Sequence, residues 1–98
     1  MPLNQRIGLS DRPRIARRAR LRFDARTQQH LLLSPERALV LNRTAASIVC
    51  CCTGGNTVAQ ICREVARGQL SALVQADVLT FLEALHGRRL LDLLGRPS

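Results

Sequence analysis

A chain of 98 residues has room for one domain of ordinary size. Nearly half of it is apolar, which excludes a disordered tail, and with Phe23 and Phe81 but no Trp or Tyr its core has to be aliphatic. The net charge of +8 comes from fifteen arginines and no lysine, and it points to an acidic partner: nucleic acid, an anionic membrane surface, or an acidic peptide or protein.

Residues 1–12 read as a loose arm of mixed polarity. Asn4, Gln5 and Arg6 stand where a signal peptide would need its apolar stretch, so a soluble, cytoplasmic protein is expected. Pro13 marks the edge of order, and residues 13–94 form the single domain. From Ala16 to Asp24 the chain alternates, Arg18, Arg20 and Arg22 against Ala19, Leu21 and Phe23, the period of a half-buried strand. A polar turn over Asp24 to Gln28 leads to a second strand, His30 to Leu33. Ser34-Pro35 stops it, because proline lacks the donor that a ladder needs. Ala38 to Leu41 is the third strand.

The period then changes. Asn42 is placed to cap a helix in which Leu41, Ala45, Ile48, Val49 and Cys52 recur at helical spacing, and Gly54-Gly55 ends it. Thr57 and Gln60 make a capping box for a second helix with Val58, Ile61, Cys62 and Val65 buried; Gly68 closes it. Ser71 caps the third helix, which carries the stripe Val74, Val78, Phe81, Leu82 and Leu85 and closes at Gly87. Leu90, Leu91, Leu93 and Leu94 form a last strand or a docked extended segment, and residues 95–98 fray. The expected fold is α+β, a winged-helix-like domain with a three-stranded antiparallel sheet followed by a three-helix bundle.

Few residues carry chemistry. Cys50, Cys51 and Cys52 point about 100° apart on a helix and cannot converge on one tetrahedral ion, so core packing is the expected role of the thiols, Cys62 included. His30 is expected to face solvent, and His86 to sit at a helix C-terminus where a cation is favoured. No nucleophile–base set or phosphate loop is suggested, so neither catalysis, a metal nor a cofactor is expected. Two helices joined by a tight glycine turn and followed by a longer one also resemble a winged helix-turn-helix DNA-binding module. The charge argues against that alternative. Residues 1–43 hold ten arginines against Asp11, Asp24 and Glu36, whereas residues 44–98 hold five against Glu64, Asp77, Glu83 and Asp92. The longest helix would present Asp77 and Glu83 to phosphate. A sheet edge that accepts a peptide as an added strand, beside an apolar helix face, fits better. The same open edge, with a mobile arm, invites a homodimer.

In order along the chain, Arg12-Pro13-Arg14, Arg20-Leu21-Arg22-Phe23-Asp24, Leu32-Leu33-Ser34-Pro35-Glu36, Leu41-Asn42-Arg43-Thr44-Ala45, Thr57-Val58-Ala59-Gln60-Ile61, Asp77-Val78-Leu79-Thr80-Phe81-Leu82 and Leu90-Leu91 resemble the PqqD family of pyrroloquinoline quinone (PQQ) biosynthesis. The resemblance covers residues 12–94. It departs at Cys52-Thr53-Gly54-Gly55-Asn56, where the family more often has an acidic residue beside a glycine, and in the short stretch from Arg67 to Leu73. It implies a peptide-recognition domain that binds the precursor peptide PqqA and presents it to the radical-SAM enzyme PqqE. It also implies that the peptide adds beside the third strand, at Ala38, Leu39, Val40 and Leu41, and against Val74, Asp77, Val78, Phe81, Leu82 and Leu85 of the third helix.

Overall fold

In the computed structural model, residues 7–67 and 72–95 are described. Among the described residues, five strands and three helices follow in the order β1 (Arg12–Ile15), β2 (Arg20–Asp24), β3 (Gln29–Leu33), β4 (Ala38–Leu41), α1 (Arg43–Cys51), α2 (Val58–Val65), α3 (Ala72–Gly87) and β5 (Leu91–Leu94). The expected antiparallel sheet is β2-β3-β4, with β4 at an edge. Its register sets Leu21, Leu32 and Leu39 in one cross-strand row and Phe23, His30 and Leu41 in the next. Because side chains alternate across a strand, these two rows share the face that α1 covers. Leu32 and Leu41 are buried there.

The expected first strand begins too early. The alternation from Ala16 to Asp24 is one strand only from Arg20 onward. Ala16 turns the chain instead, its amide donating to the Leu90 carbonyl while its own carbonyl accepts from Ala19. Ahead of it lies β1, which was not expected and which pairs antiparallel with β5, Arg12 opposite Leu94 and Ile15 opposite Leu91. The loose arm is corrected for residues 7–12. Ile7 is in the core, and the Leu9 and Asp11 carbonyls accept from the amides of Ala59 and Val58 in the first turn of α2. Those amides have no partner within their own helix. Phe23 keeps the expected phase on β2 but is 52% exposed at the corner of the sheet, in the last row on its face of edge strand β2, where its ring tilts against His30 with centroids 4.9 Å apart.

The caps form as the residue types dictate. Asn42 Oδ1 accepts from the Ala45 amide at 2.7 Å. The Thr57 amide donates to Gln60 Oε1 at 2.7 Å while the Gln60 amide donates to Thr57 Oγ1 at 3.2 Å, a complete capping box. Each such cap stabilises by about 1 kcal/mol. At the C-termini of α2 and α3 an arginine takes the left-handed position. Gly68 and Ser71 lie outside the described residues; α2 ends with Arg67 in the left-handed region at φ 54°. In α3, Gly87 is the last helical residue and Arg89, at φ 61°, takes the left-handed position. The Leu90 amide then reaches the Leu85 carbonyl and the Arg89 amide the His86 carbonyl, the paired bonds of a Schellman closure.

The core runs through Leu32 and Leu41 of the sheet, Ala46, Ile48 and Val49 of α1, Val58, Ile61 and Cys62 of α2, and Val78, Leu82 and Leu85 of α3, to Leu90 and Leu91. Cys52 and Cys62 are buried, in keeping with thiols used as small hydrophobes. Burial pushes the Cys52 thiol up to about 12.

Candidate functional site

Two elements border the site, and each leaves one surface unused. β4 pairs with β3 on one side only. Beyond the strand end, Ser34 and Arg37 exchange both backbone bonds, at 2.9 and 3.3 Å. In an antiparallel ladder such pairs alternate with pairs that exchange none. Leu39 and Leu41 therefore direct their N–H and C=O groups at β3, while those of Ala38 and Val40 point to the open edge. Val40 is 62% exposed, and Ala38 is exposed as well.

Opposite this edge runs α3. Its apolar residues divide into two stripes, because positions three or four apart share a face. Val78, Leu82 and Leu85 point into the core, at 1%, 0% and 2% exposure. Asp77, Phe81, Ala84 and Arg88 follow one another along the neighbouring stripe. Between helix and strand lies a cleft of ≈ 210 Å³ lined by Leu39, Val40, Leu41, Phe81, Ala84, Leu85 and Arg88. It has the form needed to receive an extended segment: outward amides along one wall and a half-buried ring on the other.

Of the positions expected on sequence, the structure brings Leu39, Val40, Leu41, Phe81 and Leu85 together around this cleft. Ala38 continues the same edge. Val78 and Leu82 lie in the core, away from the cleft lining. Val74 is half-buried against the core, and Asp77 is exposed, beyond the residues that line the cleft. Ala84 and Arg88 also line the cleft and are not among the positions expected on sequence. Counting three and seven residues on from Phe81 would have reached them, but neither is a conspicuous hydrophobe. Larger, open hollows lie elsewhere, such as one of ≈ 770 Å³ lined by Arg43, Thr44, Ser47, Cys50, Arg63 and Glu64 among others, but it has no free strand edge. Among the described residues, no group of three or more His, Cys, Asp or Glu side chains could hold a metal ion. No helix among them is long and apolar enough to cross a membrane.

Residues 29–91, from β3 through α3 to the start of β5, match the family model described as coenzyme PQQ synthesis protein D (PqqD). The chain belongs to the PqqD family. Its relatives include a PqqA binding protein of Xanthomonas axonopodis pv. citri, 34% identical over 89 residues that cover 89% of this chain and 97% of that one. Another PqqA binding protein, from Rhodopseudomonas palustris, is 35% identical over 81% of this chain and 79% of its own length. The bifunctional coenzyme PQQ synthesis protein C/D of Methylorubrum extorquens is 38% identical over 85% of this chain, which spans only 23% of that longer protein. Among solved structures, the PqqD truncation of Methylobacterium extorquens PqqCD superposes with a TM-score of 0.74 at 36% identity, covering 88% of this chain and 94% of that one. That protein is described as a functional, stand-alone recognition element for ribosomally synthesized and post-translationally modified peptides. The PqqD fold, a three-stranded antiparallel sheet with three helices, is thus the fold of this chain.

Proposed function

We propose that this PqqD-family chain is a non-catalytic, cytoplasmic adaptor that binds the precursor peptide PqqA and presents it to the radical-SAM enzyme PqqE. The peptide adds as a strand at the open edge of β4 and sets alternate side chains against Phe81 and Ala84 of α3. The observation that carries this reading is the free edge of β4 facing the second stripe of α3 across an apolar cleft. The names of the relatives support the peptide: several are PqqA binding proteins. Four free cysteines suit a reducing compartment. The exposed Asp77 and Glu83 on α3 favour a peptide over the phosphates of DNA.

The proposed contacts are Ala38 and Val40 through their backbone, and Leu39, Phe81 and Ala84 through their side chains, with buried Leu41 and Leu85 forming the floor of the cleft. The edge takes one added strand at a time, so a homodimer built on β4 and the peptide complex exclude each other. Calorimetric titration with PqqA, alone and after addition of PqqE, tests the reading. A saturable complex with PqqA that PqqE then joins is expected. Failure to form any complex, in either order of addition, sinks it.

A further inference from the structure

Arg88 belongs to two clefts at once. It closes the apolar groove between β4 and α3, and it also lines a second hollow of ≈ 340 Å³ with Arg18, Ser34, Glu36, Arg37 and Arg89. The two hollows meet where β4 begins and α3 ends. Glu36 is already engaged there by Arg18 at 2.9 Å. Arg37, Arg88 and Arg89 are exposed and have no carboxylate partner among the described residues.

The backbone that carries these cations is fixed by hydrogen bonds on both sides of the cleft. The Schellman closure fixes the turn that carries Arg88 and Arg89, and the reciprocal bonds with Ser34 fix Arg37 immediately before β4. The groove is apolar along Leu39, Leu41, Phe81 and Ala84, and cationic at the end beside Ala38. A guanidinium presents a planar fork of donors matched to a carboxylate, and at the mouth of an apolar cleft that match adds to the main-chain pairing.

We propose that Arg88, with Arg37 and Arg89, forms a carboxylate-binding subsite that reads an Asp or Glu side chain of the bound peptide at the strand end nearest Ala38. The subsite deepens the peptide-binding reading and rests on it. It makes Arg88 a specificity-determining residue, since the amide edge of β4 accepts any strand whereas this end selects an acidic one.

The test is fluorescence anisotropy of labelled PqqA against the wild type, Arg88→Met, Arg88→Lys and Arg37→Met, at low and high ionic strength. Methionine keeps an apolar stem on the groove wall and removes the charge. Arg88→Met is expected to weaken binding by roughly threefold to tenfold at low salt, with a flatter salt dependence. Arg88→Lys should keep the salt dependence and lose part of the affinity, because lysine retains the charge without the fork. Changing Asp and Glu of the peptide to Asn and Gln should reproduce the loss in the wild type and add little in Arg88→Met. Arg37→Met, outside the groove wall, gives a second loss that does not depend on the end of α3. Wild-type affinity and salt dependence in both methionine variants would overturn the subsite while leaving peptide binding intact. A wild type that binds no PqqA would overturn both readings.

Discussion

Gly54 shows how a single missing side chain can join two parts of a molecule. Its backbone stands at φ +88°, and a Cβ there would come 2.6 Å from Cδ1 of Leu94 on β5. Its amide donates to the Pro13 carbonyl on β1 at 2.9 Å, tying the turn between α1 and α2 to the β1–β5 pair. Gly54→Ala combines the left-handed penalty with a contact that Leu94 must move to relieve, so a loss of about 2 to 4 kcal/mol is expected, read as a lower urea midpoint at unchanged slope. The glycine pair was legible as a helix stop; its approach to Leu94 was not, because the two are forty residues apart in the chain. Cys52 holds a neutral thiol in the core. Its folded thiol is raised from 9.0 to about 12, chiefly by burial, so the unfolded chain ionises first. The stability from burying the neutral thiol is whole below pH 9 and declines as pH rises toward 12, by at most about 1.4 kcal/mol per unit. Denaturation curves at pH 8 and at successively higher pH should show this limb, and Cys52→Ala should flatten it. Thiol titration offers a companion check. Exposed Cys50 should react first, with Cys51, raised by burial and by nearby Glu64, behind it and Cys52 and Cys62 protected in the folded protein.

Within elements, the question is which side of each strand or helix is in use. The alternation set by the Ser34–Arg37 pair separates β4 into residues that hold the sheet and residues that face outward. Val40→Pro removes an outward N–H and leaves the β3 ladder complete, so it should weaken PqqA binding about tenfold or more at nearly unchanged thermal midpoint. Leu39→Pro removes a ladder N–H from a half-buried position and should lower the midpoint itself. Equal effects of the two prolines on stability would contradict the assigned alternation. The third helix shows why the site was only half legible in the sequence. Val74, Val78, Phe81, Leu82 and Leu85 wrap more than one face, and periodicity alone does not say which residues meet the core and which meet a partner. The structure divides them, sending Val78 and Leu82 inward and turning Phe81 to the cleft beside Ala84 and Arg88. The caps at Asn42 and Thr57 were readable because capping is local, needing only residue types three apart.

Across the whole molecule, the first and last strands close on each other, and this is what sequence patterning hid. β1 contains a proline and runs for only four residues, and its partner β5 lies almost eighty residues away, so neither local period nor propensity announces the pair. Residues 7–11 extend the closure by laying the Leu9 and Asp11 carbonyls over the N-terminus of α2. Ile7 anchors that segment, at 4% exposure within the core cluster. The cationic excess of residues 1–43 is thereby carried on ordered surface for much of its length. Arg14 lies on β1 near Asp92 at 3.6 Å, an exposed pair that contributes little by itself, and Arg18 holds Glu36 beside the groove. If the segment is structural, truncating its anchor should be felt globally. Ile7→Ala is expected to cost about 2 to 4 kcal/mol, the range for a buried aliphatic cut to its β-carbon. It should also speed exchange of the Val58 and Ala59 amides, whose acceptors it releases. A segment that merely rests on the surface would give a change below about 0.5 kcal/mol and leave those two amides as protected as before.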